Sequence, residues 1–360
     1  MVQGEETRRL AIGPANSAGQ AYCWANAVTQ HLGIPAESFA YSRAFLPGQR
    51  ERGFQFPVHH VLPNHRITRP WAKRLLVEHL LSGVTHVAVD GFLSLFDRLD
   101  ASHVGNDVPR LRAMGLDVAL IAHGSEVRDP DAHMARFPFS YYRDAPDEWV
   151  ARLRLLSRRN RQTAGDSGCR VFVSTPDLLL DLPAATWLPV AVDVAAWRVA
   201  EATLSRDVPR VVHAPSRRVP PIKGTAHIDP VLRRLHDSGR IVYVSPGVLP
   251  RGKMQAVIKG ADIVVDQVAT GSYGVAAVEA MAAARLVVGY LGPEVKSLLS
   301  EPAPIIDAEP AQFEAVMEEV LADADGFAET AARGPTYVER WHDGSASAEA
   351  LSAFLDQSTG

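Results

Sequence analysis

Short apolar runs alternate with longer segments of helical period along the whole chain. RRLAIG (8–13), VTHVAVDG (84–91), LDVALIAHG (116–124) and CRVFVSTP (169–176) fall in the first half. PRVVHAPS (209–216), GRIVYVSPG (239–247), ADIVVDQ (261–267) and RLVVGYLG (285–292) fall in the second. Each is nearly all apolar and closed by Gly, Pro, Ser or Asp, the pattern of strands buried on both faces of a parallel sheet. Between them, RPWAKRLLVEHLLSG (69–83) and PVLRRLHDSG (230–239) carry helical period, the second ending on Gly at a C-cap-like position. ASAEALSAFLDQ (346–357) reads as an amphipathic helix. Strand–helix alternation predicts an α/β fold of two doubly wound units. A polar, proline-containing stretch at 198–210 marks the junction. It divides the chain into an N-terminal domain, residues 1–205, and a C-terminal domain, residues 206–339, with the helix in 340–360 expected to pack back on the first. Ligands of such sheets bind beyond the carboxyl ends of the strands, so the chemistry is sought in the loops that follow them.

Composition narrows the function. The 360 residues suit two domains of ordinary size. A net charge of −4 supplies no global basic field, so no nucleic-acid partner is expected. The two cysteines, Cys23 and Cys169, form no CxxC pair, which leaves neither a zinc cluster nor a disulfide framework. No apolar segment follows the basic residues of the N-terminus, and no run approaches the roughly 18 apolar residues of a membrane span. A cytoplasmic protein is expected.

Two loops carry candidate chemistry. HAPSRRVPPIKGT (213–225) follows a predicted strand and offers Arg217, Arg218 and Lys223 before Gly224 and Thr225 open a helix. Cations beside helix N-terminal amides make an anion site; the plainer reading is a solvated basic loop. VATGSYGVAAVEAMAAARLVV (268–288) places a glycine loop between a strand and a helix. It is not GxGxxG, so a dinucleotide fingerprint is not supported. Glu279 lies roughly a turn and a half into that helix. A carboxylate there can accept from two vicinal hydroxyls, as on a ribose. The plainer reading is an exposed helical glutamate, against which stand its small neighbours Ala276, Ala277, Ala280, Ala282 and Ala283.

These residues resemble the donor domain of GT-B glycosyltransferases, specifically glycosyltransferase family 4. The family's Arg and, six residues on, Lys-Gly match Arg217 and the KGT at Lys223. The later part of its EGFG…EAMA loop matches Gly274, Glu279, Ala280 and Met281. The likeness covers about residues 205–295 well and the first half more loosely. It implies that Arg217 and Lys223, with Gly224 beside them, clamp the diphosphate of a nucleotide-sugar. Ser272 and the backbone of Tyr273, Gly274 and Val275 would hold phosphate or sugar oxygens, and Glu279 the ribose. SPGVL (245–249), with Val248, would lie near the base. One position departs: the family's first glutamate, which contacts the transferred sugar, falls on Gly271. In the first half, IAHGSEVRDP (121–130) follows a strand, and His123 matches a family histidine that approaches the donor sugar. Glu126, Arg128 and Asp129 would face the same cleft. Asn16, Ser17 and Gln20, after the first strand, are acceptor-side candidates. In TWLPVAVD (186–193) only Asp193 matches the family's NGVD element.

Two further segments have double readings. RLRLLSRRNR (152–161) is a solvated helix face or a patch for peripheral contact with an anionic membrane or acceptor. FPFSYYRD (137–144) is an acceptor groove or a packed loop. The resemblance implies a hexosyltransferase-type enzyme that retains anomeric configuration, with a nucleotide-diphosphate sugar as substrate and an unidentified acceptor. It implies no cofactor and no metal, because the cations are built in. A sugar-nucleotide epimerase and a degenerate nucleotide-binding protein are the rivals. Oligomeric state is left open.

Overall fold

The computed structural model describes residues 8–42, 56–63, 70–96, 103–215 and 219–356. Seven strands form the first sheet: β1 (Leu10–Gly13), β2 (Ala36–Tyr41), β3 (His60–Leu62), β4 (His86–Asp90), β5 (Asp117–Ala122), β6 (Arg170–Val173) and β7 (Thr186–Trp187). Five form the second: β8 (Arg210–Val212), β9 (Val242–Val244), β10 (Ile263–Val265), β11 (Leu286–Gly289) and β12 (Ile305–Asp307). The orders are β3-β2-β1-β4-β5-β6-β7 and β12-β11-β10-β8-β9. Neighbouring strands pair in parallel throughout both sheets.

All eight expected strands are present. The four that patterning missed are β2, β3, β7 and β12, and three of these are sheet edges. Edge strands here are two or three residues long and half exposed, so they carry no continuous apolar run. β2, with the sequence AESFAY, mixes exposed and buried positions.

Strand order places the crevices. The direction of winding reverses between β1 and β4 in the first sheet, and between β8 and β10 in the second. Connections leaving a reversal point diverge to opposite faces and open a gap at the strands' carboxyl ends. Those ends are Gly13 and Asp90 in one sheet, and the residues after Val212 and Val265 in the other.

The chain crosses between the two sheets twice. It leaves the first through Val190–Trp197 and returns at His342. The crossings are bonded to each other: His342 Nδ1–H donates to Val190 O (2.7 Å), and Val192 N–H donates to His342 O (2.8 Å). Burial drives the His342 pKa down to about 4, which keeps the ring neutral. After the return, helix Ser345–Leu355 packs on helix Gln20–Leu32. Its Leu351, Phe354 and Leu355 complete the core made by Leu10, Ile12 and Trp24 behind the first sheet.

Helix Asp147–Asp166 buries Val150, Leu153, Ser157 and Asn160 on one face. Of its arginines, Arg154 forks onto Asp131 and Arg161 reaches Asp129 (2.6 Å). Among the described residues, no helix is long and apolar enough to cross a membrane.

Candidate active site

At the first reversal point Asp90 ends β4, wholly buried. Its carboxylate accepts from the main-chain N–H groups of Ala15 (2.6 Å) and Asn16 (2.8 Å), and lies 3.2 Å from His123 Nε2. It thereby fixes the loop after β1 and the imidazole after β5 with one side chain. His123 also stacks on Trp24, with ring centroids 5.7 Å apart and planes 6° from parallel. Burial alone would lower the His123 pKa; the bond and charge of Asp90 outweigh it and raise the value.

Several acceptor-side candidates make hydrogen bonds within the chain. Asn16 sits in the left-handed region (φ 45°), donates to Pro57 O and accepts from Tyr22 N. Glu126 accepts the main-chain N–H of His123. Gln20 clamps the first crossing, donating to Ala191 O (3.2 Å) and accepting from Ala191 N (2.7 Å). Arg128 is buried against Asp177, donating to Oδ2 from both Nε and Nη2, and reaches Tyr141 Oη (3.2 Å). Gln20 and Arg128 nevertheless line the interdomain cavity, together with Ser17.

At the second reversal point Lys223 Nζ pairs with Asp266 Oδ1 at 2.8 Å, and Asp266 Oδ2 accepts from Gly274 N (3.2 Å). One buried carboxylate therefore ties the cationic loop to the glycine loop. Gly224 precedes helix Thr225–Asp237 at φ +77°, where a Cβ would lie 2.5 Å from Val268. Only glycine combines that conformation with that approach. His213, directly after β8, is held neutral: burial takes its pKa down to about 4, and its nitrogens meet Val265 O and Thr225 Oγ1.

Helix Val275–Ala282 starts at Gly274. Its first N–H groups, on Val275 and Ala276, have no intrahelical acceptor, and Val275 lines the cavity. Glu279 is half-buried beside Arg251, Lys223 and Asp266; desolvation pushes its pKa up to about 7 against the pull of the two cations. Tyr273 turns its ring into the core, its hydroxyl 3.1 Å from Tyr337 Oη and 3.2 Å from His342 Nε2, so only its backbone faces the loop. Val248 is 61% exposed and lines neither cavity described here. Arg217 lies outside the described residues.

Between the two sheets is a cavity of about 260 Å³. His123, Arg128, Thr175 and Asp177 form one wall; Gln267, Thr270, Gly274 and Val275 form the other. A second depression of about 610 Å³ carries Cys23, Asp193 and Arg251. Gln20 lines the first and Ala191 the second, so their paired hydrogen bonds stand between the two.

The aromatic segment at 137–144 docks the first unit onto the second. Tyr141 N donates to Ala269 O, and His133 Nε2 meets Thr270 O. Burial drives the His133 pKa to about 3, so its neutral ring donates there and accepts from Ser140 at Nδ1. Phe137 inserts against Gly271 and Gly292: a Cβ on Gly271, whose φ is +69°, would lie 2.5 Å from the ring. The glycine is required by both its backbone and its neighbour. No glutamate fits at position 271 while Phe137 is docked.

Four functional-looking residues went unread in the sequence: Asp90, Asp177, Asp266 and Arg251. Asp90 and Asp266 each close an apolar run, VAVD and IVVD, where they served only to punctuate a strand. An acid at the carboxyl end of a central strand was the available signal.

No family model matches the sequence, and no curated protein matches it. Solved structures do match along the whole chain. A glycosyltransferase from Rickettsia africae aligns with TM-score 0.58 at 12% identity, covering 97% of this chain and 98% of that one. HepE from Anabaena, solved with UDP and glucose, aligns with TM-score 0.62 at 11% identity, covering 98% and 100%. A Listeria monocytogenes protein assigned as a UDP-N-acetylglucosamine 2-epimerase aligns with TM-score 0.55 at 12% identity, covering 96% and 95%. At such identities the shared property is architecture: this chain has the GT-B fold, two Rossmann-like sheets facing each other across a cleft.

Proposed function

We propose that the chain is a glycosyltransferase related to family 4, moving a sugar from a nucleotide-diphosphate sugar to an acceptor hydroxyl with retention of configuration. One observation carries the reading. The cavity between the sheets meets a helix N-terminus on one side and His123 on the other; Lys223 is tied to the start of that helix through Asp266, and Glu279 lies a turn and a half along it. The diphosphate would lie against the N–H groups of Val275 and Ala276 and draw on Lys223, now shared with Asp266. Arg217 would add a fork from the adjoining loop. Glu279 would accept the ribose hydroxyls with Arg251 beside it, and the nucleoside would extend from there.

In the reaction the bond from the anomeric carbon to phosphate breaks and its electron pair goes to the leaving diphosphate. The acceptor oxygen bonds to that carbon, and its proton passes to a phosphate oxygen. Charge grows on the diphosphate as this happens, so Lys223 and the helix N–H groups hold the transition state more tightly than the ground state. His123, positioned by Asp90, would bind the sugar from the opposite wall.

The test is a thermal-shift series with UDP, ADP, GDP and their sugar conjugates. Ligands that bind only the native state raise the melting temperature by mass action. No shift with any of them would overturn the reading. The Listeria neighbour supports a second reading, a sugar-nucleotide epimerase on the same fold. Incubation of sugar nucleotides without acceptor separates the two: an epimerised product would favour the second.

A further inference from the structure

Three buried polar atoms gather where the units meet: Asp177 Oδ1, Thr175 Oγ1 and Ser272 Oγ. Both hydroxyls interact with the Asp177 carboxylate and help hold its pKa down, at a geometry short of a full hydrogen bond. Asp177 is 3% exposed, and it and Thr175 line the interdomain cavity. Buried polar groups are rarely served so weakly, and beside a cavity the carboxylate and the Thr175 hydroxyl keep capacity for a further partner from outside the chain.

The electrostatics select the kind of partner. Oδ2 of Asp177 already receives two donors from the buried Arg128 guanidinium, so the carboxylate is neutralised. A second cation would meet Arg128 at close range. A neutral donor on Oδ1 would not. Thr175 Oγ1 can donate or accept, and a pair with that versatility suits adjacent hydroxyls of a polyol. Position completes the choice. Gly274 and Val275, at the proposed diphosphate end, form the opposite wall of the same cavity. A group attached to that diphosphate and turned toward the first sheet therefore meets Thr175 and Asp177.

Resting on the nucleotide-sugar reading above, we propose that Asp177 and Thr175 bind hydroxyls of the transferred sugar and set which sugar is accepted. The donor subsite is thus completed from the first sheet: the glycine loop holds the phosphates, and the residues following β6 read the ring. Ser272, from the second sheet, closes the subsite against Asp177.

Calorimetric titration of the full chain with UDP, ADP and GDP, and with their glucose, galactose, mannose and N-acetylglucosamine conjugates, tests this. The readout is the ratio of the dissociation constants of each diphosphate and its conjugate. In the parent the preferred conjugate should bind more tightly than the bare diphosphate. Thr175→Val keeps the shape and removes one hydroxyl; it should cut that ratio roughly three- to tenfold while leaving the diphosphate unchanged. Asp177→Asn should cut it roughly ten- to a hundredfold and alter the ranking of conjugates. Should Asp177→Asn fail to fold with Arg128 left unpaired, Thr175→Val still decides. A preserved ratio in Thr175→Val, or equal weakening of diphosphate and conjugate, would overturn the proposal and leave the cluster a packing feature. A parent that gains nothing from any sugar would also overturn it. If no diphosphate binds, the nucleotide reading itself has failed, a result distinct from these.

Discussion

Phe137 and Gly271 meet across the boundary between the sheets, the ring of one occupying the space that any side chain on the other would need. The contact makes docking of the two sheets and the conformation of the glycine loop depend on the same pair. Gly271→Ala should destabilise by about 2–5 kcal/mol, combining left-handed strain with overpacking. Phe137→Ala should cost about 3–5 kcal/mol through its cavity. In the double variant the overpacking disappears, so the two costs should fall short of additive by about 1 kcal/mol or more in a urea-denaturation cycle. Strict additivity would mean that the pair is not coupled.

Lys223 has both a structural and a chemical assignment. Lys223→Ala strands Asp266, which is 2% exposed. Stability should fall, and kcat/KM should drop about ten- to a thousandfold if the ammonium acts on the transition state. Adding Asp266→Asn should recover stability by relieving the buried charge, without recovering turnover. Recovery of both together would assign Lys223 to the fold alone.

Glu279 links stability to pH in an unusual direction. Its folded-state pKa of about 7 exceeds the ordinary 4.5, so the native state binds the proton more tightly than the unfolded chain. Its contribution therefore falls as pH rises from about 4.5 through 7, and the cost is complete above 7. Glu279→Gln should be stabilising relative to the parent at pH 8, with the advantage shrinking toward pH 5. The same variant should weaken diphosphate nucleoside binding roughly tenfold or more, since bonds to a charged acceptor are lost. Urea midpoints at four pH values and one titration check both; a pH-independent difference would contradict the assignment.

His123 titrates above its usual range because Asp90 outweighs the burial that opposes the charge. The stability this adds is full below about 6.5 and is lost as pH rises through the raised value. Asp90→Asn should move the ring's NMR titration downward, because burial then acts with less opposition. It should also loosen Ala15 and Asn16, seen as faster amide exchange. An unmoved titration would show that Asp90 does not set the state of His123.

Sequence patterning reached the central strands and the fold they build, because continuous apolar runs such as LVV and IVV can hardly be buried otherwise. It missed β3, β7 and β12 because short edge strands share the polarity of loops. At the site, Gly224, Gly274 and Glu279 were legible from local spacing. Asp90, Asp177 and Asp266 were not, since each acts through partners 43 to 75 residues away that only the sheet order brings near. Asn16 illustrates the converse: residue type and position pointed at a ligand, while the folded chain uses its side chain for its own loops.

The two chain crossings are stitched to one another at Val190, Val192 and His342, and that network runs on through Tyr273 Oη into the glycine loop. Any relative movement of the sheets must therefore pivot where the crossings are fastened to each other, or break their hydrogen bonds. Because Tyr273 is bonded to His342 at that fastening and its backbone belongs to the glycine loop, movement there would be felt at the proposed donor site before it reached the distant edges of either sheet.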